Sequence, residues 1–424
     1  MRIYESDWLG FKTYFYNEKT KKVSSNINDV IDYENLELDN DGLLYYLRYG
    51  YSVFGITPVR NVKFLLPHSR LIVKENSITV ETLPDPCLNL LETASDEVDV
   101  LNMIKFHVNE WEKTDKKLIV PTSGGYDSRL LDLMVEDKSR INAFGYGVSS
   151  NQEDSLEIVY AKEVCKVLDI DFKQIFLGDF HKYCEDWYSV FGPSVHFHGM
   201  YHFEFYNKIK QIVGNDTTVL SGIIGDAWAG KSFNSINSPD DVFRLGLSYT
   251  YCVNPDFIKL TPSIDYEEEY FERKKDLLKV PQYRVIESMR FKMMLLRYLM
   301  LVPESLGMDA FSPFLDIEVA TSMLNLRPER RNNRQWQFDF FRKNNVAVED
   351  HDHLNHYMEP NTSDLDAQRN IPLGPVSKEY FQSIIDYRVI DFINNSRNEN
   401  INAYCQMNVL LSIQNLMNLG IKND

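Results

Sequence analysis

The chain has 424 residues with 44% hydrophobic and 25% charged content, values typical of a globular enzyme of about two or three domains. Its formal net charge of −17 argues against a nucleic-acid partner, because a phosphate backbone would be repelled. No apolar run approaches the ~18 residues of a membrane span, and the N-terminus lacks a secretory pattern. We therefore expect a cytoplasmic protein with no membrane span.

The cysteines show no paired spacing along the chain. They are scattered at Cys87, Cys165, Cys184, Cys252 and Cys405. Because zinc and iron–sulfur sites need closely spaced ligands such as Cys-x-x-Cys, these cysteines predict no such site and fit a reducing compartment.

Residues 1 to about 90 have the pattern of short strands separated by turns. Apolar runs at 62–66, 70–73 and 78–80 alternate with turn residues. Two prolines within residues 83–86 then predict a linker. The pattern predicts a small β-rich N-terminal domain, 1–90, followed by a larger domain, 96–424.

The larger domain opens with a predicted helix, for which Ser95 or Asp96 is the expected N-cap. Apolar residues recur there at helical spacing, at Val98, Leu101, Ile104, Val108 and Trp111. Helices then alternate with predicted strands, which lie at 118–121, 141–148, 172–176 and 217–220. Such alternation implies a parallel sheet whose ligands gather at the carboxyl ends of the strands. Beyond about residue 240 the pattern is mostly helical, notably from Glu287 to Leu301, so the predicted fold class is α/β with a helical C-terminal extension.

The first strand of this domain runs directly into residues 123–128, Ser-Gly-Gly-Tyr-Asp-Ser, and an amphipathic helix follows. Adjacent glycines let the backbone approach an anion closely, and the start of a helix offers free N–H groups. Ser123 and Ser128 add hydroxyl donors, and Asp127 is suited to hold Mg²⁺ against the same phosphates. The segment therefore predicts a site for the pyrophosphate of ATP; a plain glycine turn is the alternative.

A second turn follows the predicted strand at 217–220 and carries Asp226. Because parallel strands end at the same edge of a sheet, Asp226 is expected near Asp127, as a second carboxylate for Mg²⁺. A solvated aspartate in a strand-to-loop turn is the alternative.

Three segments of the chain resemble, in the same order, three motifs of the asparagine synthetase B family. Residues 123–128 match its Ser-Gly-Gly-x-Asp-Ser, residues 221–227 resemble its Ser-Gly-Glu-Gly-Ala-Asp-Glu, and residues 313–316 match its Pro-Phe-Leu-Asp. The resemblance covers about residues 96–375. It implies a parallel-sheet PP-loop fold, of the adenine nucleotide alpha hydrolase type, that binds ATP and Mg²⁺. It implies that Asp127 and Asp226 are catalytic and bind the metal. The implied nucleotide-binding residues are Ser123, Gly124, Gly125, Tyr126, Asp127, Ser128, Gly145, Tyr146, Ser221 and Gly222.

The chemistry that the resemblance implies has two steps. A carboxylate attacks the α-phosphate of ATP, giving an acyl-adenylate and pyrophosphate. A nitrogen nucleophile then attacks the activated carbonyl and expels AMP. We expect the acid to be a sugar carboxylate, a peptide or a natural-product acid.

Three positions depart from the family pattern. Ile223 and Ala227 replace its acidic residues, and Arg369, the nearest match to its carboxy-terminal lysine, is expected to take the catalytic place of that lysine. An arginine clamps phosphates but donates a proton poorly, and a plain surface arginine is an equal alternative for Arg369. These departures leave open a second function, a catalytically impaired ATP-binding partner subunit of a biosynthetic complex. The net charge and the unpaired cysteines disfavour a third, tRNA modification.

Residues 43–51 and 57–68 resemble the last part of the glutaminase domain of the same family. That domain uses an N-terminal cysteine as its nucleophile, whereas this chain has Arg2 at the second position and its first cysteine at Cys87. We therefore expect a structural remnant that cannot hydrolyse glutamine, and a partner that supplies ammonia or an amine, such as a separate glutaminase protein.

Two histidine clusters also stand out, His196, His198 and His202 in the first and His351, His353 and His356 in the second. Metal binding is one interpretation of each cluster. The first is better explained by acceptor recognition, because the family builds its substrate pocket in that part of the chain. The second is better explained as a polar loop.

Overall fold

A computed structural model describes residues 1–247, 251–354 and 372–421. Two antiparallel sheets of three strands form within the first 90 residues. The strands are β1 (Arg2–Glu5), β2 (Phe15–Asn17), β3 (Val23–Ser24), β4 (Val62–Phe64), β5 (Ser69–Val73) and β6 (Ile78–Thr82). Their orders in the two sheets are β1-β5-β6 and β3-β2-β4. The strands that the apolar runs predicted are therefore present in this part of the chain.

The N-terminal pattern did not predict helix α1 (Asn40–Tyr49). The Asp39 side chain accepts a hydrogen bond from the amide of Gly42 at 2.7 Å, and Gly50 ends the helix at φ 82°. Almost all of α1 is buried, so it lacks the polar face by which a surface helix is recognised in a sequence. Most of its apolar residues belong to the same core cluster as side chains of the central sheet and of the C-terminal helices.

The central element is a parallel sheet of five strands, which confirms the predicted α/β class. The strands are β7 (Lys117–Pro121), β8 (Ile141–Gly145), β9 (Asp171–Gln174), β10 (Thr217–Leu220) and β11 (Asp309–Phe311). Their spatial order is β11-β10-β7-β8-β9, and each neighbouring pair is parallel. The strand β11 was not predicted, because three residues are too few to show a periodic pattern.

Helices follow the strands, as the alternating pattern predicts. They include α2 (Cys87–Leu90), α3 (Glu97–Glu112), α4 (Tyr126–Met134), α5 (Leu156–Leu168), α6 (Cys184–Phe191), α7 (Tyr201–Val213) and α8 (Gly225–Gly230). Asp96 caps α3, as expected, by accepting from the amide of Val98. The prediction of the buried face of α3 was partly wrong. Val98 is 61% exposed, whereas Val100 shares the buried face with Ile104 and Val108.

The remainder of the described chain is mostly helical. Its helices are α9 (Phe243–Gly246), α10 (Tyr266–Lys274), α11 (Pro281–Leu296), α12 (Tyr298–Ser305), α13 (Ile317–Leu324), α14 (Pro328–Arg331), α15 (Gln335–Lys343), Lys378–Phe381, Tyr387–Ser396 and Ile401–Ile421. The single helix predicted from Glu287 to Leu301 is instead two helices that meet at Arg297. Across the described ranges, no helix combines the length and the apolar character that crossing a membrane requires.

Candidate functional site

The strand order places a crevice between the carboxyl ends of β7 and β10. These strands are neighbours, but the chain adds β8 and β9 on one side of β7 before it returns to add β10 and β11 on the other. The connections after β7 and β10 therefore lead away from each other, and ligands of open α/β sheets bind in the crevice that this leaves. The loop after β7 (residues 122–125) and the turn after β10 (residues 221–224) both lie there.

The loop after β7 is shaped by glycine and by its own serines. Gly124 has φ 66°, and a Cβ on it would lie 2.4 Å from Cβ of Tyr160 in α5, so only glycine fits. The amide of Ser123 donates to Oγ of Ser128 at 3.2 Å, and the amide of Gly125 donates to Oγ of Ser123 at 3.3 Å. Gly125 is then the N-cap of α4, whose first turn begins beside the loop.

Arg129 supports this loop from inside the protein. Its buried guanidinium donates to the carbonyl oxygen of Gly124 and to both carboxylate oxygens of Glu349, at 2.8 and 2.9 Å. It also lies over the rings of Tyr126 and Phe341, at 5.3 and 5.0 Å from the centroids. Sequence reasoning missed this role, although an arginine among the apolar residues of α4 was a usable signal.

Asp127 and Asp226 meet at the crevice. The amide of Asp226 donates to Oδ2 of Asp127 at 2.7 Å. Gly225 permits this approach, because a Cβ there would lie 3.0 Å from Oδ1 of Asp127. Burial, and next the charge of Asp226, raise the pKa of Asp127, while the charge of Arg334 opposes the shift.

Arg334 is a cation that faces both carboxylates. Its Nη1 lies 4.0 Å from Oδ1 of Asp127, and its Nη2 lies 3.8 Å from Oδ2 of Asp226. Its guanidinium also lies over the Tyr126 ring, at 5.5 Å from the centroid. The sequence offered no signal for this role, because Arg334 precedes α15, far along the chain.

The turn after β10 is strained. Ile224 has φ 56°, a left-handed conformation that is rare for a β-branched residue and costs about 1–3 kcal/mol. The side chains of Ile223, Ile224 and Ala227 are buried in an apolar cluster, and this packing offsets the strain. The turn thereby directs the amide of Asp226 towards Asp127.

A cavity of about 950 Å³ opens from the crevice. The predicted site residues that line it are Ser123, Asp127, Ser128, Gly145, Tyr146, Ser221, Gly222 and Asp226. Tyr126 instead lines an adjoining cavity of about 510 Å³, which shares Asp226 and Lys231 with the first. Gly124 is buried against α5, Gly125 is exposed, and neither lines these cavities. Arg369 lies outside the described residues.

Two lysines on the cavity wall were not predicted. Lys231 follows α8, and Lys292 projects from α11. Burial, and next the nearby charge of Lys231, lower the pKa of Lys292 to about 8. Because both lysines line the cavity, this wall presents positive charge suited to an anionic ligand.

The first histidine cluster is buried beside the same cavity. Nε2 of His202 lies 3.3 Å from the hydroxyl of Tyr146, and both residues line the cavity. His196 and His198 pack instead against Tyr251, with ring centroids 4.5 and 4.4 Å away. Burial lowers the pKa of both His198 and His202 to about 3, so these imidazoles are neutral. Acceptor recognition by this cluster stays a prediction.

The donor set at the crevice suits a magnesium nucleotide. Oδ1 of Asp127 is buried without a hydrogen-bond partner, and Asp226 is half exposed beside it. Two carboxylates of this kind match the oxygen ligands that Mg²⁺ prefers. No family model and no curated protein matches this chain, so its function is inferred from the site itself.

Proposed function

We propose that this chain is an ATP-dependent, AMP-forming ligase that makes an amide bond through an acyl-adenylate. The contact between Asp127 and Asp226 carries the proposal, because the Asp226 amide donates to the Asp127 carboxylate and so holds the two acidic residues together beside a glycine turn and a helix start. The first turn of α4 would bind the pyrophosphate portion of ATP, together with Ser123 and Ser128, which line the cavity. The fold would then be of the PP-loop type.

Asp127 and Asp226 would hold Mg²⁺, which when bound neutralises charge on the departing pyrophosphate. Gly145 and Tyr146, at the end of β8, lie on the side of the cavity where adenine is expected. Lys231 and Lys292, which line the same cavity, would stabilise negative charge on the phosphates of ATP and on the departing pyrophosphate. In this role they could replace the lysine of the resembling family, independently of Arg369.

The proposed reaction needs only ATP, the acid and the nitrogen nucleophile as reactants. A carboxylate oxygen of the acid bonds to the α-phosphorus as the bond to pyrophosphate breaks. The nitrogen nucleophile then bonds to the carbonyl carbon, AMP leaves with the bonding electrons, and the nitrogen loses a proton. The chain's contribution is positioning and electrostatic stabilisation, which together account for most catalysis of this type.

The acid would occupy the part of the cavity away from the loop. Met289, Leu295, Leu296 and Leu299 give the cavity wall an apolar surface, and His202 adds a neutral polar group. Such a wall suits a sugar carboxylate, a peptide or a natural-product acid with both apolar and hydroxyl groups.

The nitrogen would come from ammonia or from an amine, and not from glutamine hydrolysed by this chain. Burial raises the pKa of the Cys87 thiol to about 12, so it is not a thiolate nucleophile at neutral pH. Residues 1–90 would then be a structural remnant of a glutaminase domain, with a separate glutaminase protein as the expected partner.

Pyrophosphate exchange into ATP tests the proposal. With Mg²⁺ and a panel of carboxylic acids, one acid should support exchange, and mass spectrometry should detect its AMP-linked product. Asp127→Asn should abolish the exchange and keep the fold, whereas the exposed Asp115→Asn should match the wild type. Full exchange in the Asp127→Asn variant would remove the proposed metal role.

A second candidate function, an ATP-binding partner subunit without turnover, is favoured by Ile223. This apolar side chain lines the cavity where the resembling family has a glutamate. A subunit of this kind would bind Mg²⁺-ATP in calorimetry yet release no pyrophosphate with any acid. Release with even one acid would exclude it.

A further inference from the structure

A cluster of one carboxylate and two imidazoles lies apart from the cavity. Glu163 belongs to α5, whereas His351 and His353 lie in residues 348–354, which form two short 3-10 turns. Nδ1 of His351 is 3.0 Å from Oε1 of Glu163, and Nε2 of His353 is 3.3 Å from the same oxygen. Both imidazoles therefore converge on one carboxylate oxygen.

The spacing of these atoms matches that of a metal site. One potential ligand atom from each of the three residues lies within 4.8 Å of the other two. Zinc–nitrogen and zinc–oxygen bonds of about 2.0–2.2 Å at tetrahedral angles separate neighbouring ligand atoms by roughly 3.4 Å. An ion could therefore bind after side-chain rotations alone.

The chemistry of the three groups selects the class of ion. Imidazole nitrogens bind zinc, copper and nickel well, whereas Mg²⁺ and Ca²⁺ prefer oxygen ligands. His351 and His353 are 27% and 58% exposed, so an ion can reach them from solvent.

The cluster lies where residues 348–354 pack against α5. Val348 and Leu354 form a small apolar cluster with Val164, which lies next to Glu163. Glu349, in the same turn as Val348, is the partner of Arg129 beneath the loop after β7. An ion that links Glu163 of α5 to His351 and His353 would therefore restrain residues 348–354, which position Glu349.

We propose that Glu163, His351 and His353 bind a divalent transition-metal ion of the zinc class, which fastens residues 348–354 to α5. The three protein ligands leave one tetrahedral position for water. Lys166 lies 3.6 Å from Oε2 of Glu163 and is mostly exposed, so it can move aside when the ion binds. This site is separate from the magnesium site at Asp127 and does not depend on the proposed ligase activity.

Metal titration of the full chain, purified without a histidine tag, tests this site. Calorimetry with Zn²⁺ should show one site of micromolar affinity or better, and Co²⁺ should develop the absorption of a four-coordinate complex. His351→Asn and His353→Gln keep an amide N–H for Glu163 but offer no imidazole, so each should weaken Zn²⁺ binding about tenfold or more. Glu163→Gln should weaken it similarly.

His107→Gln is the matched control, since this partly exposed histidine lies beside Asp316, away from Glu163. It should leave the affinity for Zn²⁺ unchanged. Zn²⁺ should also slow amide hydrogen exchange in residues 348–354 in the wild type and not in His353→Gln. No binding at micromolar Zn²⁺, or equal affinity in the wild type and the three ligand variants, would overturn the assignment. Binding without slower exchange would overturn the fastening role.

Discussion

Arg129 and Glu349 form a two-point ion pair that joins the loop after β7 to a distant part of the chain. Arg129 is buried, and its two contacts to the Glu349 carboxylate measure 2.8 and 2.9 Å. The same guanidinium donates to the carbonyl oxygen of Gly124. The shape of the loop therefore depends on a carboxylate that lies 220 residues further along the chain.

Glu349→Gln should lower the free energy of unfolding by ~1–3 kcal/mol, because it leaves the buried Arg129 charge without its counterion. Urea denaturation measures this. The control is Glu329→Gln, at an exposed pair with Arg327 separated by 3.8 Å, which should change stability by less than about 0.5 kcal/mol. Equal effects of the two substitutions would show that Glu349 does not brace the loop.

Gly124→Ala should destabilise the fold by at least about 2 kcal/mol. A Cβ there would lie 2.5 Å from the backbone nitrogen of Ala161, and the left-handed φ of 66° is also unfavourable for alanine. Gly178→Ala is the matched control, since a Cβ at Gly178 would have no neighbour within 4 Å. Thermal unfolding compares them, and similar melting temperatures would contradict the close approach of the loop to α5.

The stability of the protein should depend on pH through Asp132. This carboxyl is buried and accepts from Oγ1 of Thr122, and burial raises its pKa to about 7. Between about pH 4 and pH 7 the folded state holds a proton that the unfolded state has lost. The free energy of unfolding should therefore fall as pH rises, by up to about 1.4 kcal/mol per unit.

Asp132→Asn removes this titration and keeps an oxygen that can accept from Thr122. The variant should lose less stability than the wild type between about pH 5 and pH 8 in urea denaturation. Parallel losses in the two proteins would show that Asp132 is ionised in the folded state.

Lys292→Met should weaken pyrophosphate binding and stabilise the free protein. Since the pKa of Lys292 is lowered to about 8, its charge opposes folding below that pH, and stability should rise as pH increases from about 8 towards 10.5. Calorimetry should show roughly tenfold weaker pyrophosphate binding, while thermal unfolding at neutral pH shifts upward. Lys173→Met, at an exposed strand position, should change neither. Unchanged binding in Lys292→Met would remove its role at the anion site.

Glutamine alone should not supply nitrogen to the purified chain. Cys87 is buried, and its raised pKa keeps the thiol protonated. An enzymatic assay for glutamate should detect no hydrolysis, and Cys87→Ser should not alter that result. Glutamate release that Cys87→Ser abolishes would contradict the interpretation of residues 1–90.

The helices and strands that the sequence predicted best are those with a local signal. The Asp96 cap of α3 and the four predicted strands of the central sheet follow from capping and periodicity. The break at Arg297, between α11 and α12, was missed because the apolar pattern continues through it. The strand β11 exists because it pairs with β10, a contact that periodicity cannot reveal.

The candidate site likewise has residues that a local signal predicted and residues that it did not. The sequence by itself determined the glycine turn at 124–125 and the carboxylates of Asp127 and Asp226, because backbone conformation and strand–turn–helix order are local properties. Only the tertiary structure decided which cations face these groups. Arg334, Lys231 and Lys292 reach the crevice from three separate segments that the core packs together, and charge acts through distance in space, whatever the separation along the chain.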